Sequence, residues 1–265
     1  MPETEADFAR RFGGLGRLFG VAPAQRIWRA HVAVVGLGGV GSWAAEALAR
    51  SGVARLTLVD MDHVSESNIN RQVQALGSTL GMSKVEAMRE RIALIHPSCV
   101  VDAVDAFVAP DNWPGLLPAG VDAVLDACDQ MQAKVAMAHW ARSQNACFVT
   151  VGAAGGKRHS QYVEVADLSQ VTHDPLLAQL RYRLRKFHAA PKEGKRMGVH
   201  CVFSREAVVG ADATSSTQSD GGLNCHGYGS SVTVTASFGL AAAGWLMNKI
   251  SSASAEVAPT KNAII

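Results

Sequence analysis

Short apolar runs alternate with longer amphipathic segments along most of this 265-residue chain. In the first such unit, Val32–Asp60, an apolar run leads into a glycine-rich turn, a helical pattern beginning near Ser42 and a second apolar run. The pattern predicts a strand, a tight turn, a helix and a second strand. This order of elements is typical of a nucleotide-binding unit.

The same alternation continues beyond Asp60 and predicts an α/β fold. The predicted elements are a helix over Ser83–His96, ended by Pro97, strands over Val100–Phe107 and Ala123–Asp126, a helix over Met131–Ser143 and a strand over Cys147–Val151. Alternating strands and helices predict a Rossmann-like, mostly parallel sheet with helices on both faces. In such sheets ligands bind at the carboxyl ends of the strands, where Gly36, Asp60, Asp126 and Gly152 are expected to meet.

The glycine-rich turn indicates what kind of ligand the unit binds. Gly36, Gly38, Gly39 and Gly41 lack Cβ atoms, so the backbone can adopt positive φ and its N–H groups can approach a phosphate at the positive end of the following helix. Asp60, at the end of the second strand, can accept hydrogen bonds from ribose hydroxyls. Taken alone, this motif is compatible with NAD, with FAD, or with a glycine turn that binds no ligand.

The residues after Asp60 favour ATP over a nicotinamide cofactor. Arg71 and Lys84 can neutralise phosphate charge, Asp129 can hold Mg²⁺, and Asn68 can orient the nucleotide. A hydride-transfer enzyme needs none of these groups. Considered singly, Arg71 and Lys84 can also be solvated surface cations, and Asp62 can be the cap of a turn.

These motifs, in this order, resemble the ubiquitin-activating-enzyme-like (ThiF/MoeB-like) adenylating superfamily. The resemblance spans about residues 8–155 and includes the glycine loop, D-x-D, SxxNxNRQ, Lys84 and D-x-x-D. It implies that Asp129 carries Mg²⁺ and that Arg71, Lys84 and Asp129 are catalytic. The nucleotide contacts that it implies are Gly36, Gly38, Gly39, Gly41, Asp60, Asp62, Asn68, Arg71, Gln72, Lys84, Asp126 and Asp129.

Further segments resemble one branch of this superfamily, the tRNA threonylcarbamoyladenosine dehydratases. They are RFGGLGRLFG at 11–20, the NINRQ form of the asparagine motif, VTVGAAGG at 149–156 and HCVFSREAV at 200–208. The resemblance implies ATP-dependent adenylation of the threonyl carboxylate in tRNA, followed by cyclising dehydration. It also implies a homodimer in which the partner donates a catalytic arginine. Arg11 and Arg17 are both candidates, and Arg17 is preferred.

Composition and cysteine spacing indicate a compact intracellular enzyme. Hydrophobic residues make up 48% of the chain, the formal net charge is +2, and the five cysteines are widely spaced, with no C-x-x-C pair. Reduced thiols in the cytoplasm are therefore expected, and a structural zinc is not. Cys225, which adjoins His226, is either a catalytic nucleophile or a small residue in a glycine loop.

We expect the chain to form a single domain, 1–265, in which the second half adds elements to the nucleotide-binding core. We expect an amino-terminal helical segment at 1–30, a nucleotide-binding core at 31–155 and substrate-binding additions at 156–265. Segment 181–200 carries seven Lys or Arg residues against one Glu, which suits a tRNA backbone or, alternatively, a solvated helix face. Segment 210–231 is a flexible loop, either a lid or simply disordered, and 232–250 is a buried or interfacial helix rather than a membrane anchor.

Three alternative functions remain at this level. An enzyme that adenylates the Gly-Gly tail of a ubiquitin-like sulfur carrier shares the core motifs, but the missing zinc pairs and the basic segment disfavour it. A nicotinamide oxidoreductase is disfavoured by NINRQ and Lys84. Only an assay can exclude an inactive module that binds tRNA or protein. The sequence also leaves open a sulfur-transfer partner and a monovalent cation.

Overall fold

The computed structural model describes residues 5–208 and 228–253, and within these the chain forms seven strands and seven α-helices. The strands are β1 (His31–Val35), β2 (Arg55–Val59), β3 (Val100–Val104), β4 (Ala123–Asp126), β5 (Cys147–Val151), β6 (Val163–Asp167) and β7 (His200–Ser204). The helices are α1 (Glu5–Phe19), α2 (Val21–Arg29), α3 (Gly41–Arg50), α4 (Lys84–Ile95), α5 (Met131–Gln144), α6 (Pro175–Phe187) and α7 (Val232–Ser252).

The strands form one sheet in the order β3-β2-β1-β4-β5-β7-β6. Every neighbouring pair is parallel except β6 and β7, which are antiparallel. Strand β1 lies in the middle, and its last residue, Val35, pairs with Val59 of β2 and with Asp126 of β4. The carboxyl ends of these three strands therefore meet at one edge, as the sequence predicted, and the mostly parallel α/β fold is confirmed.

Two hydrophobic layers cover the two faces of the sheet. Alternate residues of β1 point to opposite faces, so Val32 and Val34 join one layer while Ala33 and Val35 join the other. The first layer contains apolar residues of α2, α3, α4 and α7, and the second contains those of α5 and α6. Fully buried strands of this kind explain why β1 is apolar at almost every position.

Helix α7 is part of the first layer. Val234, Phe238, Ala242 and Leu246 are fully buried, and the helix packs against α3, α2 and β5. This agrees with the expected buried helix over 232–250. In the part of the chain that is described, no helix combines the length and apolarity needed to cross a bilayer.

A Gly239→Ala substitution should destabilise the crossing of α7 over α3. A Cβ atom at Gly239 would lie 2.4 Å from the Val40 carbonyl oxygen and 3.0 Å from the Ala44 nitrogen, so the two helices would have to separate. We expect the free energy of unfolding, measured by urea denaturation, to fall by about 1–3 kcal/mol.

Gly244 on the same helix is the matched control for this substitution. A Cβ atom there meets nothing within 4 Å, so Gly244→Ala should raise the free energy of unfolding by up to about 1 kcal/mol through helix propensity. Equal effects of the two substitutions would contradict the proposed steric origin.

Several predicted elements differ from those observed. The strand expected over Val100–Phe107 ends at Val104, because the Ala106 amide donates to the Val104 carbonyl and the chain turns. Strands β6 and β7 were not predicted, although β7 begins the HCVFSREAV segment. Most of the expected loop 210–231 lies outside the described residues, while 228–231 are described.

Candidate functional site

A cavity of about 750 Å³ lies at the carboxyl edge of the sheet, over the ends of β1, β2, β4 and β5. Residues predicted from four separate sequence motifs, together with Lys84, line this cavity. They are Gly36, Gly38, Gly39, Asp60, Asp62, Asn68, Arg71, Gln72, Lys84 and Asp129. Of the four residues expected to meet at the strand ends, Gly36, Asp60 and Gly152 line this cavity and Asp126 does not.

The turn after β1 can be made only of glycine at two positions. Gly36 has φ +86°, and a Cβ atom on it would lie 2.8 Å from the Cys128 backbone nitrogen. Gly41 does not line the cavity, but a Cβ atom on it would lie 1.7 Å from the Gly36 carbonyl oxygen. These close approaches keep the backbone of the turn near the start of α3, where N–H groups can bind an anion.

Asp60 links the glycine loop, which follows β1, to the loop that follows β2. Its Oδ2 accepts from the Leu37 backbone N–H at 2.5 Å, and its Oδ1 accepts from the Asp62 backbone N–H at 2.8 Å. Burial raises the pKa of this carboxyl, and the Lys84 ammonium, 4.0 Å from Oδ1, opposes that shift. The carboxylate faces the cavity and is oriented by backbone groups of the glycine loop.

An Asp60→Asn substitution should weaken ATP binding by about 10- to 150-fold, the loss expected when one charge-assisted hydrogen bond of roughly 1.5–3 kcal/mol is removed. The reason is that Asn supplies one acceptor oxygen where Asp60 supplies two, so one of the two backbone N–H groups faces a donor instead. Titration calorimetry with Mg·ATP measures the effect. Asp105→Asn, at an exposed position just after β3, is the control, and an equal loss in both variants would argue against this role of Asp60.

Lys84 is the first residue of α4, and its side chain is only 7% exposed. Its Nζ lies 2.7 Å from Asp62 Oδ2, while the Asp62 side chain is 57% exposed. Both residues line the cavity. Lys84 is therefore not the solvated surface cation that its sequence position alone would allow, and Asp62 is its ion-pair partner.

Arg71 lies directly over the glycine loop. A Cβ atom on Gly39 would lie 3.1 Å from Arg71 Cγ, and the guanidinium donates to the Ser67 carbonyl at 2.6 Å and to Asn70 Oδ1 at 3.0 Å. Trp43 of α3 fixes the same segment by donating from its indole nitrogen to the Arg71 carbonyl at 2.9 Å. The side chain therefore stands beside the site where a phosphate would meet the loop.

The neighbours of Arg71 along the chain also contribute to the cavity wall. Asn68 is 8% exposed, and its Oδ1 accepts from the Ser65 N–H at 3.1 Å. Gln72 is 5% exposed and accepts from Gln74, which also donates to the Leu37 carbonyl at 2.9 Å. Thus Gln74, which the sequence did not single out, ties the NINRQ segment to the glycine loop.

Asp126 does not contact the cavity, which corrects its predicted role as a nucleotide ligand. It is 0% exposed, and its Oδ2 accepts from Lys134 Nζ at 3.0 Å and from Thr150 Oγ1 at 2.6 Å. Lys134 is also 0% exposed, and it donates further to the Val151 carbonyl at 2.8 Å. Asp126 is therefore a buried anchor beneath the loop that carries Asp129.

The loop after β4 presents Cys128 and Asp129 to the cavity. Asp126 Oδ1 accepts from the Cys128 N–H at 3.1 Å and from its thiol at 3.0 Å. Burial and the adjacent carboxylate raise the pKa of the Cys128 thiol, which disfavours the nucleophilic thiolate at neutral pH. Cys225 lies outside the described residues.

No preformed metal cluster is found among the residues that the structure describes, because no three His, Cys, Asp or Glu side chains converge. This is compatible with Mg²⁺, which is usually bound by one or two carboxylates together with substrate phosphates. Asp129 is a carboxylate at the cavity wall, next to the glycine loop across β1 and β4. Its donor chemistry and position fit such an ion.

Part of the cavity wall comes from residues that sequence reasoning missed. Thr235 of α7 lies against Gly39, and Tyr228–Ser230, which precede α7 in the chain, line the same cavity. Phe107 lines the opposite side, beyond β3. No local sequence motif marks this contribution.

Arg11 and Arg17 do not line the cavity of their own chain. The guanidinium of Arg11 donates to the Ile95 carbonyl at 2.8 Å. Ile95 ends α4, so this contact lies at the edge of the sheet opposite to the cavity. Arg17 is exposed on α1. Any role for Arg17 in this site therefore requires a second copy of the chain.

The basic segment 181–200 is only partly free to bind a partner. Arg181 donates to the Leu168 and Val171 carbonyls and Arg185 to the Pro191 carbonyl, so both support the local fold. The side chains of Lys186, Lys192, Lys195 and Arg196 are exposed. Arg181 and Arg185 are thus part of the local structure, and the two interpretations from sequence stay open for the four exposed cations.

The chain belongs to the ThiF family, whose model matches residues 14–264. The tRNA threonylcarbamoyladenosine dehydratase of Haemophilus influenzae is 39% identical over 246 residues, which cover 92% of this chain and 94% of that relative. The protein of the same name from Escherichia coli is 42% identical over 250 residues, covering 91% and 93% respectively. The family resemblance stated from the sequence is thereby confirmed.

Solved structures give the same result at the level of the fold. The E. coli tRNA N6-threonylcarbamoyladenosine dehydratase in complex with ATP has a TM-score of 0.84 to this chain at 41% identity. The match covers 94% of this chain and 97% of that one. A structure of the same E. coli protein in complex with AMP matches with the same TM-score.

Proposed function

We propose that the protein is an ATP-dependent tRNA threonylcarbamoyladenosine dehydratase. It adenylates the threonyl carboxylate of N6-threonylcarbamoyladenosine in tRNA, and the activated group then cyclises with net loss of water. The observation that carries this proposal is the cavity in which the glycine loop, Asp60, Arg71 and Lys84 converge. It is supported by relatives of that name at about 40% identity over more than nine-tenths of the chain.

The cavity fits ATP on chemical grounds. The glycine loop leaves backbone N–H groups open to the phosphates, and Asp60 offers carboxylate oxygens to the ribose hydroxyls. Arg71 and Lys84 supply the positive charge that phosphates need, and both line the cavity. The E. coli relative with this fold has been solved in complex with ATP and in complex with AMP.

The reaction requires two displacements. In the first, a carboxylate oxygen attacks the α-phosphorus and pyrophosphate leaves. In the second, a nucleophile of the carbamoyl group attacks the activated carbonyl carbon and AMP leaves with the carboxylate oxygen. Neither step needs a protein nucleophile, which is consistent with the high pKa of the Cys128 thiol. The chain's own task is to align the two reactants and to stabilise charge at the α-phosphate with Arg71 and Lys84.

Asp129 would hold Mg²⁺. When bound, the ion neutralises negative charge on the phosphates of ATP. Asp126 and Lys134 keep the loop that carries Asp129 in place, because Asp126 accepts from the Cys128 N–H just before it.

The proposed partners are tRNA and a second copy of the chain. The exposed cations Lys186, Lys192, Lys195 and Arg196 suit an RNA backbone. Arg17 would act in the site of the partner, since it lies away from the cavity of its own chain.

The test is mass spectrometry of nucleosides from threonylcarbamoylated tRNA incubated with the protein and Mg·ATP, with AMP release followed in parallel. ATP-dependent loss of the mass of one water from the modified adenosine is the expected result. An unchanged nucleoside would overturn the proposal. AMP formed only when a carrier protein with a Gly-Gly tail is supplied would instead identify the protein as a sulfur-carrier adenylating enzyme.

A further inference from the structure

Two exposed aromatic rings line opposite sides of the cavity. Phe107 is 45% exposed and Tyr228 is 42% exposed, and both belong to the cavity wall. Solvent-exposed aromatic rings at a cleft are well suited to stack on flat, apolar ligand groups such as nucleobases. A reaction that joins ATP to an adenosine derivative brings two such bases into one cavity.

The order of the strands determines which ring is nearer to which base. Across the carboxyl edge, Phe107 follows β3, Asp60 follows β2, the glycine loop follows β1 and Asp129 follows β4. Tyr228 lies farther along the same edge, beside Gly155 after β5. A nucleotide with its ribose on Asp60 and its phosphates on the glycine loop therefore has its base on the Phe107 side. Its α-phosphate then faces the Tyr228 side.

The segment that carries Tyr228 is fixed to both halves of the cavity. The Gly156 N–H donates to the Gly229 carbonyl at 2.9 Å, and Asn70 Nδ2 donates to the Ser230 carbonyl at 3.2 Å. A Cβ atom on Gly155 would lie 3.7 Å from Tyr228 Cβ, so Gly155 and Tyr228 are neighbours on the cavity wall. These bonds use backbone groups of the segment and leave the Tyr228 side chain available for a ligand.

We propose that Tyr228 is a substrate-binding residue that stacks on the base bearing the threonylcarbamoyl group and thereby directs its carboxylate toward the α-phosphate. This inference rests on the proposed function. An RNA base that is turned out of its loop loses its stacking neighbours, and an aromatic side chain replaces them. The small residues Ala154 and Gly155 also line the cavity and leave room for such a base.

Steady-state kinetics of AMP release with threonylcarbamoylated tRNA will test this role. For Tyr228→Ala we expect the KM for tRNA to rise about tenfold, the size of one lost base–aromatic stack. The Kd for ATP, measured by calorimetry without tRNA, should not change. Tyr228→Phe keeps the ring and should behave like the wild type. Phe107→Ala is the matched control in the same cavity, and it should weaken ATP binding without raising the KM for tRNA.

Each other outcome has a definite meaning. If the wild-type protein does not convert the tRNA, the proposed function fails before the variants are compared. If it does, an unchanged KM for tRNA in Tyr228→Ala overturns the inference about Tyr228. A loss of ATP affinity in Tyr228→Ala, or a Tyr228→Phe variant as impaired as Tyr228→Ala, overturns the stacking role as well.

Discussion

Alanine at Arg71 will lower the rate of AMP formation by about 10²–10³-fold, the loss typical of removing one preorganised group that stabilises transition-state charge. The guanidinium stands over Gly39 and is fixed by the Ser67 carbonyl and Asn70. Because it is held in place before ATP arrives, its charge requires no reorganisation during the reaction. Its effect should therefore appear mainly in kcat.

The measurement is single-turnover formation of AMP at saturating Mg·ATP and tRNA. Arg89→Ala is the matched control, since Arg89 is 53% exposed on α4, pairs with Glu86 and does not line the cavity. It should retain the wild-type rate. A rate in Arg71→Ala within threefold of that control would show that Arg71 does not act on the transferred phosphate.

A Lys134→Met substitution should lower the free energy of unfolding by about 3–5 kcal/mol. Lys134 and Asp126 are both fully buried, and the removal of the ammonium leaves a carboxylate without its charge partner in the interior. Thr150 Oγ1 still donates to that carboxylate, but a neutral donor compensates only part of the cost. Urea denaturation at neutral pH gives the value.

The double variant Asp126→Asn/Lys134→Met separates charge from packing. If the unpaired carboxylate causes the loss, neutralising it should restore more than half of the lost stability. A double variant as unstable as Lys134→Met would mean that the lost contacts of Lys134 with Thr150 and Val151 are the cause. ATP binding by the double variant would then report how far the loop with Asp129 depends on this anchor.

The sequence predicted the glycine loop, Asp60, Arg71 and Lys84 because these residues belong to local motifs in register with strands and helices. The mostly parallel sheet followed from the same alternation. These features are local, or depend only on the rule that parallel strands end at one edge. They include the glycines and charged side chains assigned to the nucleotide, which are a minority of the residues that line the cavity.

Other features depend on contacts between distant parts of the chain. Lys134 looks like an ordinary helix-surface cation in sequence, and only its distance to Asp126 and Thr150 explains its complete burial. Likewise, Thr235 reaches the glycine loop and Tyr228 reaches the cavity wall from nearly two hundred residues farther along the chain. Asp126 was assigned to the ligand because its D-x-x-D motif does not reveal which of its carboxylates points inward.

Helix α7 packs against α3 and places Thr235 beside Gly39, although it follows every other described element in the chain. A chain growing from its amino end on the ribosome therefore forms the glycine loop long before the wall that completes the cavity exists. Until α7 emerges, the apolar side of α3 that contacts it remains uncovered, which favours chaperone binding or aggregation. The nucleotide cavity is thus completed only after α7 has been made, and the segment that contains the glycine loop does not form it alone.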